Sequence, residues 1–351
     1  MPFLAVRVER KLASALHAFL KESGLLVNES EPLSDEFHVF FPVKKISPKE
    51  KKMIQEKFGG HVVKKTFQKK SGSRRTFKEI LAGKLSKKNL ELVGRAFDVV
   101  GNIAIVEIPK ELRGKEKIIG TALLEAHKNL ETVCMKTGAH SGVFRVEPVK
   151  VIAGKKNLVA VYKESGCTFR VSLGKVFFSP RLAAERLRIS KQVKKGEVVA
   201  ALFAGVGPFP IVLAKKTGMS KSCAVELNPV AVRDLEENIV KNHVEGKVIP
   251  FLGDVKKIVP QKLAGKCDRV LMPLPKGAEA FLHEAFLCLK KDGGVIHFYG
   301  FAERLDLFGP AIERIKKQAE KEGKKVRILY KSELRSYSPQ TAQVVVDFWV
   351  S

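Results

Sequence analysis

The chain has 351 residues, of which 64 are lysine or arginine and 37 are aspartate or glutamate, so its formal charge at pH 7 is +27. This length excludes a single ordinary domain, and a hydrophobic content of 45% is enough for two or three cores. The positive excess indicates a polyanionic partner, and we expect nucleic acid. A merely basic protein from a lysine-rich proteome is the alternative.

The cysteine pattern argues against a metal site and a disulfide framework. Five cysteines are scattered without C-x-x-C spacing or nearby histidine pairs, which is typical of a reducing compartment. Charged residues between Arg7 and Lys11 interrupt the apolar start, and no apolar run approaches the length of a membrane span. We therefore expect a cytoplasmic protein without a membrane anchor and without a bound metal.

The first part of the chain, residues 1–64, predicts a small α/β domain. The segment "FLAVRVE" fits a strand, "KLASALHAFLKESGLL" has apolar residues at helical spacing before a glycine stop, and "EFHVFFPVKK" alternates as a second strand. Residues 65–89 contain almost no acid and a Ser-Gly-Ser stretch, which predicts a mobile basic linker that runs into a helix. We expect this linker to contact phosphate, with a solvated charged loop as the alternative.

The second part, residues 90–190, is rich in strand patterns. The runs "AFDVVGNIAIVEIP", "TVCMKT", "VFRVEPVKVIAG" and "NLVAVYKESGCTFRVSLGKVFFS" predict an α+β domain with an antiparallel sheet. In this reading Arg145 lies in an otherwise apolar strand.

The third part, residues 191–351, alternates strand-length apolar runs with helical stretches. Seven such runs, from "EVVAALFAG" to "QVVVDFWV", are nearly continuous in apolar content and predict a Rossmann-like, doubly wound sheet that is largely parallel. The last run follows "SYSPQ" too closely for a crossover helix, so the final strand is expected to be antiparallel.

The glycine turn in "FAGVGPF" follows the first strand of this sheet. Gly205, Gly207 and Pro208 do not supply the lysine of a P-loop, and Pro210 stands where a dinucleotide fold has its third glycine. A turn of this length fits S-adenosylmethionine, whose amino-acid moiety is held by backbone groups. Nicotinamide cofactors and a turn without a ligand remain alternatives.

Two acidic residues stand where the next two strands end. Glu226 follows the turn by about one βαβ step and can accept hydrogen bonds from two ribose hydroxyls. Asp254 ends the third strand, where it would meet the adenine amino group. Because ligands of open α/β sheets bind at the carboxyl ends of parallel strands, the turn and both acids predict one site.

Unusual charges outside the sheet form a second candidate group. In "VFFSPRLAAERLRI", Arg181, Glu185 and Arg186 lie in a helix that opens after Pro180, and the first two form an i, i+4 pair on one face. An ordinary surface salt bridge would explain that pair.

The order of these segments resembles the archaeal and eukaryotic tRNA (guanine-N1)-methyltransferases, which modify guanosine 37 beside the anticodon. The likeness covers nearly the whole chain, and its most specific pieces are "SPRLAAER" and "FAGVGPF". It also includes "AVELNPVAVRDLEENIVKN" and "RSYSPQTAQVVVDFWV". The related wybutosine-pathway aminocarboxypropyl transferases share the cofactor fold but usually differ at the "SPRL" segment and lack the N-terminal domain.

The resemblance implies roles for individual residues. It makes Glu185 the general base for the guanine N1 proton and Arg145 the group that stabilises negative charge on the base. It adds Phe203 and Arg186 to the cofactor contacts, which are otherwise Gly205, Gly207, Pro208, Glu226 and Asp254. It places the substrate near Arg181, Pro273, Pro275 and Lys276. The implied partner is tRNA, bound at its anticodon loop and, through the N-terminal domain, at its elbow, by a monomer.

Three positions depart from the family pattern. Ala201 stands where family members usually have aspartate before the glycine turn, and Phe177 stands where tyrosine is frequent. Pro273 replaces an asparagine that helps to hold the target guanine, and proline offers neither a side-chain hydrogen bond nor a backbone N–H. We therefore expect base recognition to be weakened, altered or supplied by other groups. A catalytically impaired tRNA-binding relative and an aminocarboxypropyl transferase are the alternatives to the methyltransferase.

Overall fold

The computed structural model describes residues 2–27, 30–67, 75–94, 96–138 and 142–351. The chain folds into two compact units, Met1–Thr76 and Phe77–Ser351. The domain boundaries predicted at residues 64, 89 and 190 remain predictions. Within the described residues, no helix is long and apolar enough to cross a membrane.

The first unit is a four-stranded antiparallel sheet with two helices. Its elements are β1 (Pro2–Glu9), α1 (Ala13–Glu22), β2 (Leu33–Ser34), β3 (His38–Val43), α2 (Pro48–Phe58) and β4 (His61–Thr66), and the strand order is β2-β3-β1-β4. The predicted strand, helix and second strand are present as β1, α1 and β3. Helix α2 begins with a capping box, in which the Ser47 hydroxyl accepts from the Glu50 amide and the Glu50 carboxylate accepts from the Ser47 amide.

The predicted linker is only partly covered by the structure, because residues 68–74 lie outside the described residues. Its later part is helical: α3 spans Phe77–Ala82 and α4 spans Lys87–Leu92. Ile80 and Leu81 on α3 are buried in one cluster with Leu112 and Ile119, so this stretch belongs to the second unit.

The sheet that follows is mixed, and the prediction of an antiparallel sheet is wrong for one strand pair. Its elements are β5 (Asp98–Val100), β6 (Ile103–Val106), α5 (Glu116–Ala126), β7 (Thr132–Lys136) and β8 (Val149–Gly154), in the strand order β5-β6-β7-β8. Strands β6 and β7 are parallel because α5 forms the crossover between them.

Arg145 does not lie in a strand, which corrects the prediction for "VFRVEPVKVIAG". It ends a turn in which its amide donates to the Gly142 carbonyl, and its own φ is 50°. Strand β8 starts only after Pro148, which has no amide hydrogen to donate to a ladder. The arginine is therefore presented by a loop beside the sheet.

The third sheet and its helices consist of β11 (Val198–Leu202), α7 (Pro208–Lys216), β12 (Lys221–Glu226), α8 (Pro229–Lys241), β13 (Val248–Leu252), α9 (Val255–Ile258), β14 (Arg269–Met272), α10 (Leu282–Cys288), β15 (Gly294–Glu303), α11 (Gly309–Lys321), β16 (Val326–Ser336) and β17 (Thr341–Val350). This sheet is preceded by the hairpin β9 (Val159–Glu164) and β10 (Cys167–Ser172) and by α6 (Ala183–Ser190). Strands β11 to β15 are parallel, and β17 is antiparallel to both β15 and β16, as the short connection predicted. The seven strands have the order β13-β12-β11-β14-β15-β17-β16, which confirms the predicted Rossmann-like architecture.

Both faces of the seven-stranded sheet are covered by apolar cores. Side chains of β11 alternate between the two, with Val199 and Ala201 in one core and Ala200 and Leu202 in the other. Ala201 is 1% exposed, so the position of the missing aspartate points into packed interior. All five cysteines are buried and free.

Helix α8 holds the free edge of the β9–β10 hairpin by side-chain hydrogen bonds. Asp234, Asn238 and Asn242, spaced four residues apart, accept from the backbone amides of every second residue of β10, namely Ser172, Arg170 and Thr168. Four helical residues rise about 6 Å and two strand residues about 6.7 Å, so the two repeats match. Asn238 also donates to the Val206 carbonyl at 3.0 Å, which ties the hairpin to the glycine turn.

We expect Asn238→Ala to lower the free energy of unfolding by about 3 kcal/mol, because buried backbone groups of Arg170 and Val206 would lose their partner. Urea unfolding followed by circular dichroism measures the change. The exposed Asn129→Ala is the control and should cost about 0.5 kcal/mol or less. Equal losses in the two variants would contradict the proposed role of α8.

Candidate active site

The glycine turn joins β11 to α7 through three residues in the left-handed region. Phe203, Gly205 and Gly207 have φ values of 59°, 56° and 88°. A Cβ on Gly207 would lie 2.3 Å from Leu235 Cδ1, so both the backbone conformation and the packing require glycine there. Pro208 starts α7, where its missing amide hydrogen costs no bond.

The acid at the end of β12 is directed at this turn. Glu226 accepts from the Gly205 amide with one carboxylate oxygen and from the Asn228 amide with the other, both at 2.8 Å. Burial raises the pKa of Glu226, although these amide bonds oppose the rise. Asp254 caps α9 after β13 by accepting from the Lys256 amide at 2.9 Å. Turn and acids thus lie at the ends of three adjacent parallel strands.

The loop after β14 carries the predicted substrate contacts Pro273, Pro275 and Lys276. The Pro275 carbonyl accepts from the Phe301 amide at 3.0 Å, and the Lys276 carbonyl accepts from the Arg145 guanidinium. Burial lowers the pKa of Arg145. The structure therefore brings Arg145 to the loop at the carboxyl end of β14.

Helix α6 turns Glu185 into the protein interior. Glu185 is 5% exposed and accepts from both Nε and a terminal nitrogen of Arg188 at 2.7 Å. The Tyr299 hydroxyl donates to the same carboxylate at 2.7 Å. The alternative of an Arg181–Glu185 surface pair is wrong, because Arg181 bonds to Asp98 instead.

Arg186, the residue after Glu185 on α6, is buried in the protein interior. It is 1% exposed, its guanidinium forms a bidentate pair with Glu164, and it also donates to the Ser179 carbonyl. The carbonyl of Phe177 lies 3.6 Å from the position that a Cβ on Gly205 would take. Arg186 therefore fixes the segment that passes over the glycine turn, and a direct cofactor contact by Arg186 remains a prediction.

A chain of buried polar groups continues from Glu185, and it was not predicted from the sequence. Arg188 donates to Asp347 at 2.6 Å, Asp347 contacts Nδ1 of His297 at 2.7 Å, and Nε2 of His297 contacts Arg269 at 2.7 Å. Arg269 in turn pairs with Glu197 at 2.8 Å. His297 lies on β15, and Asp347 stands opposite it in the β15–β17 ladder. The one local sequence pattern that indicates part of this chain is the Glu-x-x-Arg spacing of Glu185 and Arg188 on α6.

Seven strands with an antiparallel last strand, a glycine turn after the first and an acid after the second define an S-adenosylmethionine-dependent methyltransferase of the Rossmann-like class. The left-handed turn and the carboxylate directed at it suit the methyl donor. Gly205 is partly exposed and has no side chain within 4 Å of the position that a Cβ would take, and Glu226 offers two acceptor oxygens.

Comparisons with known proteins narrow this class. The family model for the TRM5/TYW2 methyltransferase domain matches residues 160–329, and that for the TYW2 N-terminal domain matches residues 77–157. A relative from Pyrococcus abyssi, tRNA (guanine(37)-N(1))-methyltransferase Trm5b, is 39% identical over 348 residues and covers 99% of both chains. The solved complex of aTrm5 and tRNALeu has a TM-score of 0.71, 31% identity and coverage of 99% of this chain and 100% of that one.

A tRNA(Phe) (4-demethylwyosine(37)-C(7)) aminocarboxypropyltransferase from Methanocaldococcus jannaschii is 32% identical over 255 residues, which are 73% of this chain and 98% of the relative. The methyltransferase relative, in contrast, matches both units from end to end. The chain belongs to the tRNA (guanine(37)-N(1))-methyltransferase family, as its motifs indicated.

Proposed function

We propose that the protein transfers a methyl group from S-adenosylmethionine to N1 of guanosine 37 in tRNA. The observation that carries the proposal is the position of a buried carboxylate and a guanidinium at one edge of the sheet. Glu185 contacts Tyr299 on β15, and Arg145 contacts the loop that follows β14. These strands are parallel neighbours, and β14 also pairs with β11, which leads into the glycine turn.

The chemistry needs a base and a stabiliser of negative charge. S-adenosylmethionine supplies the methyl group: guanine N1 forms a bond to the methyl carbon while the carbon–sulfur bond breaks and its electron pair stays on sulfur. Because N1 carries a proton at neutral pH, Glu185 accepts that proton. The guanidinium of Arg145, fixed at the Lys276 carbonyl, stabilises the charge that spreads to O6.

The donor site combines backbone and side-chain groups. The backbone of Gly205 and Gly207 faces the amino-acid moiety, Glu226 accepts from the ribose hydroxyls, and Asp254 faces the adenine amino group. Phe203 and Pro208 shape the two ends of the turn. The buried Ala201 offers no carboxylate to this site, so Glu226 is the principal acid that holds the donor.

The positive charge of the chain fits a tRNA substrate. Lysine and arginine contacts to phosphate offset the few kcal/mol needed to flip guanosine 37 out of the anticodon stack. We assign the first unit to the tRNA elbow and the loops around Arg145 and Lys276 to the anticodon loop, with one chain acting as a monomer.

Nucleoside mass spectrometry of tRNA incubated with the protein and labelled donor tests the proposal. The expected product is labelled 1-methylguanosine at position 37, lost when guanosine 37 is replaced. A label that arrives as an aminocarboxypropyl group would favour the second enzyme class. No incorporation, with tRNA binding intact, would show a tRNA-binding protein without this activity.

The unusual proline at the substrate loop gives a further test. We expect Pro273→Asn to raise kcat/KM about three- to tenfold, because asparagine restores a side-chain hydrogen bond and a backbone N–H. Steady-state methylation measures the change, with thermal unfolding as the control for stability. A fall in kcat/KM at unchanged stability would mean that Pro273 itself serves substrate binding.

A further inference from the structure

An exposed tyrosine stands at the turn between β16 and β17, beside the loop that follows β14. Tyr337 is 63% exposed, and its ring centroid lies 4.7 Å from that of Phe301 on β15. The Phe301 amide donates to the Pro275 carbonyl in the loop after β14. Lys276 of the same loop accepts from Arg145. The two rings therefore border the loop to which the substrate contacts were assigned.

Hydrogen bonds hold the backbone of this turn on two sides. The amides of Tyr337 and Ser338 donate to the Thr341 carbonyl at 2.9 and 3.0 Å. The Gln340 carbonyl accepts from the Arg304 amide at 2.9 Å, which joins the turn to the end of β15. An aromatic ring on a fixed backbone loses little conformational freedom when a ligand binds to it.

The rings continue the face of the sheet that contacts Glu185. Tyr299, whose hydroxyl donates to Glu185, and Phe301 are two residues apart on β15, so their side chains point to the same face. Two strand residues span about 6.7 Å, and Phe301 is the one nearer the carboxyl end of β15. The rings therefore lie one strand repeat beyond the Glu185 contact, towards the edge at which parallel sheets bind ligands.

Two guanidinium groups accompany the rings. Phe301 on β15 and Arg335 on β16 stand opposite the same residue of β17, Gln343, and Nε of Arg335 donates to Oε1 of Gln343 at 2.9 Å. Burial lowers the pKa of Arg335, and the nearby charge of Arg181 adds to this effect. Arg181 pairs with Asp98, whereas no carboxylate of the described residues lies within ion-pair distance of Arg335. The terminal nitrogens of Arg335 can therefore donate to a phosphate.

We propose that these four side chains, Phe301, Tyr337, Arg335 and Arg181, form a surface that binds a nucleotide next to guanosine 37. The base of that nucleotide stacks on the Tyr337 ring, and its phosphate accepts from Arg335, with Arg181 adding positive charge. The proposal rests on the function proposed above, and we call this group the Tyr337 surface.

A flipped guanosine creates the need for such a surface. When guanosine 37 leaves the anticodon stack, each neighbouring base loses a stacking partner, and this loss is part of the cost of flipping. An exposed aromatic ring replaces the lost partner for any base, because every base has a π face. A ring beside a guanidinium group also matches a base joined to its phosphate. The Tyr337 surface would therefore stabilise the flipped state without selecting a particular neighbouring base.

Binding of tRNA to the full-length protein, measured by fluorescence anisotropy, tests the stacking contact. We expect Tyr337→Ala to raise the Kd for tRNA about tenfold, whereas Tyr337→Phe keeps the ring and should stay within about twofold of wild type. Leu329→Ala, which shortens an exposed side chain near the other end of β16, is the control and should leave the Kd unchanged. An unchanged Kd in Tyr337→Ala would overturn the proposal.

Two modified tRNAs separate stacking from a structural role. Each carries an abasic nucleotide, one on the 5′ side and one on the 3′ side of guanosine 37. With one of the two, Tyr337→Ala should lose less than about twofold in affinity relative to wild type, because the base that stacks on the ring is already absent. A loss of equal size on the intact tRNA and on both abasic tRNAs would overturn the proposal. If Tyr337→Ala does not fold, Tyr337→Leu replaces it and keeps an apolar side chain on Phe301.

The salt dependence of binding tests the phosphate contact. Arg335→Gln should reduce the slope of log Kd against log salt concentration by about 0.7 to 0.9, the value of one phosphate contact, and Arg335→Lys should keep the slope. Arg327→Gln, at the exposed start of β16, is the matched control. An unchanged slope in Arg335→Gln would overturn this half of the proposal. A wild type that makes no 1-methylguanosine refutes the proposed function, whereas an active enzyme without the coupling to an abasic tRNA refutes the Tyr337 surface alone.

Discussion

Glu185→Gln should lower single-turnover methyl transfer by about 10²- to 10⁴-fold, the usual contribution of a general base. Glutamine keeps the shape of the side chain and can still accept from Arg188 or Tyr299, but it cannot take up the N1 proton. The rate is measured with labelled donor, and the Kd values for donor and tRNA are measured by calorimetry.

Two controls separate this effect from a loss of structure. Glu313→Gln on the exposed face of α11 makes the same chemical change away from the site and should leave the rate unchanged. Thermal unfolding of Glu185→Gln reports whether its amide disturbs the ion pair of Arg188 with Asp347. Turnover that persists in Glu185→Gln would remove Glu185 from the mechanism, whatever the stability.

The seven-stranded sheet of the second unit was predictable because the sequence pattern of each strand is local. Strands buried on both faces produce runs such as "EVVAALFAG" and "DRVLMPLP", and the short "SYSPQ" connection leaves no room for a crossover. Helix α2 of the first unit was also readable, because Ser47 and Glu50 form the S-x-x-E pattern of a capping box. The prediction for residues 1–64 did not include this helix.

What could not be predicted depends on long-range geometry. Asp347 and His297 are 50 residues apart and meet only through the register of β15 with β17. The parallel pairing of β6 with β7 depends on the crossover through α5, which the strand patterns do not encode. Arg145 has the neighbours of a strand residue in sequence, yet Pro148 ends the pattern and leaves the arginine in a turn.

The candidate site was predicted in part, for the same reason. Gly207 and Glu226 follow successive parallel strands, so topology alone brings the turn and the acid together. The burial of Glu185 was not readable, because an i, i+4 partner suggested a solvent-exposed pair with Arg181. In the structure Arg181 instead bonds to Asp98, and Glu185 accepts a hydrogen bond from the Tyr299 hydroxyl.

Glu226→Gln should weaken S-adenosylmethionine binding about 10- to 100-fold, because an amide has one acceptor oxygen where the carboxylate has two, and it carries no charge. The raised pKa of Glu226 adds a pH dependence. Because the folded protein binds this proton more tightly than the unfolded chain does, protonated Glu226 stabilises the donor-free fold at low pH. This contribution to the free energy of unfolding is lost as the pH rises through the raised pKa. Donor binding needs the ionised form, so affinity should fall as the pH drops towards that pKa.

Calorimetric titration of the donor at pH 7.5 and at pH 5.5 measures both effects, with Glu236→Gln on the exposed face of α8 as the matched control. Wild type and control should lose affinity between the two pH values, whereas Glu226→Gln should bind weakly at both, since it has no proton to exchange there. If Glu226→Gln binds the donor as tightly as wild type does, the ribose is not held by the acid at the end of β12. With Ala201 buried in the core, no acid at that position of β11 could take over the contact, so the loss in Glu226→Gln should not be compensated within the turn.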